Sequence, residues 1–495
     1  MNLMARQWPQ AGRRMPWATL GLLLLLAACT SVNPATGQQS FTLFMSPAEE
    51  QRIGAQEHTK ITDRFGGVYD DPRIGGYIAE IGGRLAANSD VPDARFTFTV
   101  LNTPEVNAFA LPGGYVYVTR GLIALTNSEA ELAGVIAHEI GHVAARHTAQ
   151  RYSRAVVASL GAAILGAVTN NQIGQLANLG SELYLSGFSR EQEFESDTLG
   201  VRYLRATGYD PGAMASFLTT LSLETELQAK FQGVAVADLE GGFFATHPRT
   251  PDRVARAIQQ AGGDRGAVRR DMLLDTVSGM LFGDDPEQGI VRGREFAHPD
   301  LGFRFEVPRG FRIFNTQEAV LAREASGAAI IFDQAGRDTH PDPLIYLRDI
   351  WAAGTRLNDL QRLNVNGFDA ATATTQIRGQ VGNYSGAFDV RLVAIQFGAR
   401  EIYRFMFLTP PARTAALRVE LQRVTFSFRR LTARETSRIH PLTLEIMTVR
   451  RGDTVESLAR GLPFEDLLVE RFRTLNGLPA GERLTAGMRI KIVAE

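Results

Sequence analysis

His138-Glu139-Ile140-Gly141-His142 is the stretch on which the fold and chemistry of this chain turn. On a helix, residues four apart project from nearly the same face, about 5–6 Å apart at Cβ. Two neutral imidazoles at that spacing can share one Zn²⁺, each roughly 2.0–2.1 Å from the metal. Glu139 is rotated by about 100° from its neighbours. Its carboxylate can therefore meet an attacking water without joining the metal's ligands, and pass the proton to a leaving amine. That combination is the arrangement of a zinc peptidase. Upstream, Ser128-Glu129-Ala130-Glu131 reads as a capping box that opens the helix. Leu132, Val135, Ile136, Ile140 and Val143 recur at helical spacing and give it one apolar stripe.

A catalytic zinc needs a third protein ligand and an open position. Candidates crowd the run Ser189-Arg190-Glu191-Gln192-Glu193-Phe194-Glu195-Ser196-Asp197. Ser189 with Gln192 is a second capping box and Gly208 a plausible stop, so this segment also reads as a helix. Glu193 and Asp197 share one face of it, and Glu191 and Glu195 roughly the opposite one. Helical geometry alone does not choose between the two pairs.

His-Glu-x-x-His, a second helix with Glu-x-x-x-Asp, and the upstream run Asn107-Ala-Phe-Ala-Leu-Pro-Gly-Gly-Tyr-Val-Tyr-Val-Thr-Arg120 together resemble the HtpX and CAAX prenyl protease family of zinc metallopeptidases. Within it, the likeness is to the soluble periplasmic branch of BepA and LoiP, over roughly residues 33–260. The resemblance implies Glu193 as the third ligand and Asp197 as a group that accepts from a ligand imidazole and fixes its tautomer. It implies one Zn²⁺ per chain. Thr246-His247-Pro248, followed by Arg253, is similar to a His-Pro…Arg segment near the end of the family's protease domain. His247 is then either a donor to the oxyanion or a removable occupant of the open zinc position. Arg253 supports the site from behind. His147 lies five residues after His142, about 140° around a continuous helix, and reads as structural.

Substrate recognition is expected at a small sheet. Phe96 to Val100 alternates as a strand, and Gly113-Gly114 precedes a second, Tyr115 to Val118. Asn107, Ala108, Phe109, Ala110 and Leu111 form the expected exposed edge, because Pro112 and the glycines restrict pairing beyond it. An unfolded or extended polypeptide would add there as a strand.

The N-terminus speaks to location. Arg6, Arg13 and Arg14 precede the apolar run Leu20 to Ala28, too short to span a bilayer. Leu26-Ala27-Ala28-Cys29 resembles the lipobox of lipoproteins, with residues 1–28 as signal peptide and Cys29 as the lipidated residue. Thr30 in place of Asp favours the outer membrane of a Gram-negative bacterium, facing the periplasm. Cys29 is the only cysteine, which excludes an internal disulfide and a thiol protease. Removal of residues 1–28 takes away three Arg and no acid, so the formal net charge moves from −1 to −4. That balance excludes nucleic acid as the partner. No G-x-S-x-G elbow supports a serine hydrolase.

The expected class is α+β and multidomain. Residues 29–45 read as a polar tether that holds the protein off the membrane, and 46–265 as a mainly helical zincin-type protease domain with a small β-sheet. Ser46-Pro47-Ala48-Glu49 starts its first helix. The 14-residue apolar segment Ala155 to Val168 is too short to cross a bilayer and reads as a buried or interfacial helix. Residues 266–295 read as a linker around the turn-rich Gly283 to Gly289, and 296–432 as an antiparallel α+β domain of unknown role, faintly resembling PsbP and Mog-type folds. Val449 to Ala459, Leu475-Asn476-Gly477 and Leu484 to Val493 make residues 441–495 resemble a βααβ LysM module, whose implied ligand is peptidoglycan. The expected function is a lipid-anchored zinc endopeptidase acting on misfolded or stalled envelope proteins. Its rivals are a chaperone-like holdase that rarely cuts and a peptidoglycan-tethering protein.

Overall fold

The computed structural model describes residues 30–37, 39–42, 45–164, 187–236, 239, 243–247, 252–336, 340–382 and 384–495. The expected signal peptide, Cys29 and the end of the apolar segment at 165–168 lie outside the described residues. No described helix is long and apolar enough to cross a membrane.

The first described residues pair as a hairpin, β1 (Thr30–Val32) with β2 (Gln39–Phe41). Two helices follow, α1 (Pro47–Arg64) and α2 (Pro72–Ala87), each with Pro in its first turn behind a capping Ser46 or Asp71. Strands β3 (Thr97–Leu101), β4 (Ala108–Leu111) and β5 (Tyr115–Thr119) form one sheet in the order β3-β5-β4. β3 runs parallel to β5, and β4 antiparallel to it, which leaves β4 at an edge. All four residues of β4 are nevertheless buried, so the expected exposed edge is covered.

A short helix α3 (Arg120–Leu125) leads into α4 (Glu129–Ala144), which carries the His-Glu-x-x-His run. Ser128 accepts from the Glu131 amide as its cap. The reciprocal bond of the expected capping box is displaced by one residue, because the Glu131 carboxylate accepts from the Asn127 amide. Next come α5 (His147–Ile164), α6 (Arg190–Ala206) and α7 (Ala213–Gln232), with α6 opened by the full Ser189–Gln192 capping box. One turn, α8 (Phe243–Thr246), precedes α9 (Asp252–Ala261) and α10 (Arg270–Val277).

The segment expected to be a free linker is built into the fold. It contains α10 and a strand β6 (Leu281–Phe282), and buried Arg120 donates to the carbonyls of Leu281 and Gly283 at 2.9 Å each. The central domain starts at β7 (Ile290–Arg292) and continues through β8 (Glu295–His298) and β9 (Phe303–Glu306). Its large antiparallel sheet takes β10 (Arg312–Asn315), β11 (Val320–Arg323), β12 (Ala329–Gln334), β13 (Asn358–Val365), β14 (Phe368–Val381), β15 (Tyr384–Gly398) and β16 (Glu401–Thr409), in the order 10-11-12-16-15-14-13. Helix α11 (Pro411–Ser427) and strand β17 (Arg429–Arg430) complete it.

The last module is βααβ: β18 (Leu442–Thr448), α12 (Val455–Ala459), α13 (Leu468–Leu475) and β19 (Arg489–Ala494). β18 pairs with β19 on one side and with β6 on the other. Its buried Leu442, Leu444, Phe472, Leu475 and Ile490 belong to the same apolar cluster as Ile136 and Ile140 of α4. The module is packed into the core that holds α4.

Candidate metal centre

Four buried side chains from three segments converge: His138 and His142 from α4, Glu193 from α6, and His247 just after α8. One ligand atom from each lies within 4.8 Å of all the others. His138 Nε2 stands 3.0 Å from His142 Nε2 and 3.3 Å from His247 Nδ1. Glu193 Oε1 stands 3.4 Å from His142 Nε2 and 3.0 Å from His247 Nδ1. Four ligand atoms around one tetrahedral Zn²⁺ stand about 3.3 Å apart. The donor set, three imidazoles and a carboxylate, therefore fits zinc in chemistry and in spacing.

α4 and α6 pack face to face because small residues let them. A Cβ on Gly141 would stand 2.8 Å from Ser196 Oγ, and one on Gly200 would meet Met214 at 2.7 Å and the His138 backbone at 3.3 Å. Ser196 also donates to the His138 carbonyl at 2.8 Å. This contact chooses the face of α6: Glu193 and Asp197 point inward, Glu191 is exposed, and Glu195 is half-buried at the margin.

Each imidazole is held by its other nitrogen. His138 Nδ1 lies 2.9 Å from Asp197 Oδ1. Arg253 grips Asp197 with two bonds of 2.8 and 2.7 Å and reaches Glu193 Oε2 at 2.7 Å. His247 Nε2 lies 3.2 Å from the Ala108 carbonyl on β4, and Thr246 Oγ1 donates to Asn107 Oδ1 at 3.3 Å. The turn carrying His247 thus occupies part of the β4 edge. Phe188 stacks on His142 at 3.8 Å between ring centres, and Phe243 on His247 at 4.5 Å.

Burial pushes the Glu139 carboxyl above its usual range, although His247 and His138 pull the other way. Neither Glu139 oxygen has a hydrogen-bond partner among the described residues. Burial also drives the His142 imidazole well below its usual value, toward the neutral form a metal requires. Glu193 goes the other way. Burial raises it, but His247, His142 and Arg253 together hold it well below the usual range. Asp197 is likewise lowered, burial being outweighed by Arg253 and His138.

The sequence placed His138, Glu139, His142, Glu193, Asp197, His247 and Arg253, and the structure brings all seven together. Of the expected edge, Asn107 and Ala108 touch the turn that carries His247, while Phe109 and Leu111 pack into a separate apolar cluster with Ile61 and Phe65. His147 is placed differently from the expectation. α4 stops at Ala144, and Arg146 takes a left-handed conformation at φ 54°. The chain therefore turns back, and His147 Nδ1 comes within 2.8 Å of His142 Nδ1 instead of lying round the helix. Phe188 and Phe243 carried no sequence signal beyond their place beside Ser189 and Thr246.

Residues 72–261 match the description Peptidase family M48, and residues 447–493 match the LysM domain. Over 212 residues, 41% of this chain and 42% of the relative, the sequence is 31% identical to the beta-barrel assembly-enhancing protease of Escherichia coli. It is 32% identical over 202 residues to the protein of that name in Yersinia pestis, covering 39% of this chain and 40% of the relative. It is 36% identical over 178 residues to the mitochondrial metalloendopeptidase OMA1 of Arabidopsis thaliana, covering 36% of this chain and 33% of the relative. The chain thus spans about two fifths of the length of the bacterial relatives. The solution structure of cyanobacterial PsbP from Synechocystis aligns with 30% of this chain and 98% of its own, at 14% identity and a TM-score of 0.21, too low to support an argument about the central domain.

Proposed function

We propose that this chain, which carries an M48 peptidase domain and a LysM domain, is a zinc-dependent endopeptidase that degrades misfolded or stalled envelope proteins. The observation that carries the reading is the buried set His138, His142, Glu193 and His247 at tetrahedral spacing, with the Glu139 carboxylate, which accepts no hydrogen bond among the described residues, beside it. Zinc, when bound, supplies Lewis-acid polarisation of a scissile carbonyl and activation of water. Glu139 takes the proton of the attacking water and delivers it to the leaving amine; its raised affinity for protons suits both steps. Asp197, backed by Arg253, keeps the His138 ring turned toward the metal. An extended substrate would pair along β4 once the His247 turn withdraws from Ala108.

The envelope setting draws support from the bacterial relatives' printed name and from the LysM domain. In this reading Cys29 is acylated, the protein faces the periplasm from the outer membrane, and the exposed turns at Arg450–Gly452 and Pro479–Arg483 contact peptidoglycan. A second reading, a holdase that rarely cuts, is favoured by His247 itself, which fills the fourth position of the cluster.

Glu139→Gln separates the two readings. Zinc content and fold should be retained, while cleavage of an unfolded outer-membrane protein should fall by at least about 10²-fold. Cleavage at the wild-type rate would sink the peptidase mechanism.

A further inference from the structure

A chain of polar contacts runs from the metal centre to the N-terminal hairpin. His142 turns Nε2 toward the other donors, and its Nδ1 lies 2.8 Å from His147 Nδ1. His147, fully buried, has its Nε2 3.2 Å from Glu195 Oε2. Glu195 Oε1 accepts from Asn33 Nδ2 at 2.9 Å. Asn33 is itself buried and fixed, its Oδ1 accepting from the Ala35 amide at 2.9 Å.

Metal binding gives this chain one direction. A metal on Nε2 of His142 leaves the ring proton on Nδ1, so Nδ1 must donate to the lone pair of His147 Nδ1. Neutral His147 then carries its own proton on Nε2 and donates it to the Glu195 carboxylate. Asn33 donates to the other carboxylate oxygen. Every donor has one acceptor and none is duplicated.

The backbone is bent to make this possible. A continuous helix would put residue 147 about 140° away from residue 142. The left-handed Arg146 brings it back, at φ 54°. For a residue with a side chain that conformation is strained, and it persists only where the surroundings fix it. Here Arg146 donates to the Met45 carbonyl at 2.7 Å and to Glu50 at 3.0 Å. Residues on both sides of the hairpin's exit therefore hold the two ends of the contact chain, Asn33 at Glu195 and Met45 with Glu50 at the Arg146 turn.

We propose that His147, Glu195 and Asn33 act in series as positioning residues for the ligand His142, so that the N-terminal segment is a working part of the metal centre. The proposal rests on the reading of the four-residue cluster as a zinc site. His138 has a carboxylate directly behind it, locked by Arg253. His142 has instead a neutral imidazole between it and the Glu195 carboxylate, in a relay that ends on a separate segment of chain.

The test is zinc affinity of the full chain by chelator competition, with the visible spectrum of the Co²⁺-substituted protein as a second readout. Glu193→Ala, which removes a donor, sets the lower limit. His147→Ala should weaken zinc binding about 10–100-fold, as loss of a ligand's outer partner does elsewhere, and should shift the Co²⁺ spectrum. His147→Gln, whose amide oxygen can still accept from His142, should recover part of both. Asn33→Ala should give a smaller loss, and the double variant His147→Ala/Asn33→Ala should be no weaker than His147→Ala alone. Wild-type affinity and spectrum in His147→Ala, or additive losses in the double variant, would overturn the relay. Should His147→Ala fail to fold, Asn33→Ala decides alone, unchanged affinity overturning the proposal. Absence of zinc binding in the wild type would instead overturn the underlying metal reading.

Discussion

His247 is where one side chain decides between two behaviours. Its Nδ1 lies among the metal donors and its Nε2 near the Ala108 carbonyl, 3.4 Å from Glu139 Oε1. It is fully buried, and its proton affinity is raised because Glu193 and Glu139 outweigh the cost of burial. As a removable ligand it closes the water position, and His247→Ala should raise basal peptide cleavage. As an oxyanion donor its loss should lower turnover by roughly 10²–10³-fold with little change in substrate affinity. The direct contact of Nδ1 with Glu193 favours the blocking role, so a rise is the expected outcome. A fall in the cleavage assay would reverse the assignment, and an unchanged rate would leave His247 as a loop residue. The donors were legible in the sequence because helical spacing fixes which residues of α4 share a face. Choosing Glu193 over Glu195 needed the family resemblance. His147 and Asn33 were not legible, because their contacts depend on where α4 breaks and on a hairpin far away in sequence. Nothing local in Ala144-Ala145-Arg146 announces a left-handed residue, since the usual marker for that conformation is glycine.

At the scale of elements, the N-terminus of α4 is held by one carboxylate. Glu129, nearly inaccessible, accepts from Tyr77 at 2.8 Å, Tyr209 at 2.5 Å, Arg84 at 2.9 Å and Arg269 at 2.9 Å. Those partners draw α2, α6's exit and the approach to α10 onto the first turn of the active-site helix, where an anion also suits the helix dipole. Burial raises its proton affinity, but the Tyr209, Tyr77 and Arg84 bonds and the Arg269 charge outweigh it, and the net shift is below the ordinary value of 4.5. A carboxylate lowered in the folded state contributes stability above its unfolded value, and loses it as pH falls through the folded one. Glu129→Gln should therefore cost about 2 kcal/mol at neutral pH. It should also lose less stability than the wild type below pH 4.5. Denaturant midpoints measured across that range check both points, and parallel curves would refute the role given to Glu129. Ser128 and Glu129 were visible as a helix start because capping is local chemistry. The long strand β14 was not, because Phe368-Asp-Ala-Ala-Thr-Ala-Thr-Thr-Gln-Ile-Arg-Gly-Gln-Val381 mixes small and polar residues without apolar alternation. Its conformation comes from pairing with β13 and β15 on either side.

At the scale of the whole molecule, two junctions depart from the beads-on-a-string order that the sequence suggests. The first is the LysM module. Lys491 in β19 is fully buried and donates to the carbonyls of Ala124 at 2.6 Å and Thr126 at 2.7 Å, just ahead of the active-site helix. Lys491→Met would strand both carbonyls at a cost of at least about 2 kcal/mol. Because the two domains share one apolar cluster, the loss should lower the midpoint of a single transition that includes the protease domain. A separate, earlier LysM transition with the protease midpoint unmoved would show that the docking is dispensable. The second junction is the N-terminal segment, expected to stand off the membrane as a loose tether. Instead, residues 30–41 contain a hairpin, and Asn33 is bonded to Glu195 beside the metal centre. Three residues separate Asn33 from Cys29, and the four Cα-to-Cα steps between them span at most about 14 Å when fully extended. With Cys29 acylated, as proposed, the corner of the protease domain formed by Asn33, Glu195 and His147 must lie within that reach of the lipid attachment point. The metal centre would then work at the bilayer surface. Glu191 is exposed on the same helix as Glu195, one turn away, and Cys29 is the only native cysteine. A fluorophore on Glu191→Cys in protein reconstituted into vesicles should be strongly quenched by quenchers attached to lipid headgroups. Quenching no greater than that of free dye would place the corner away from the membrane, and would argue against acylation at Cys29 or against the Asn33–Glu195 contact in the anchored protein.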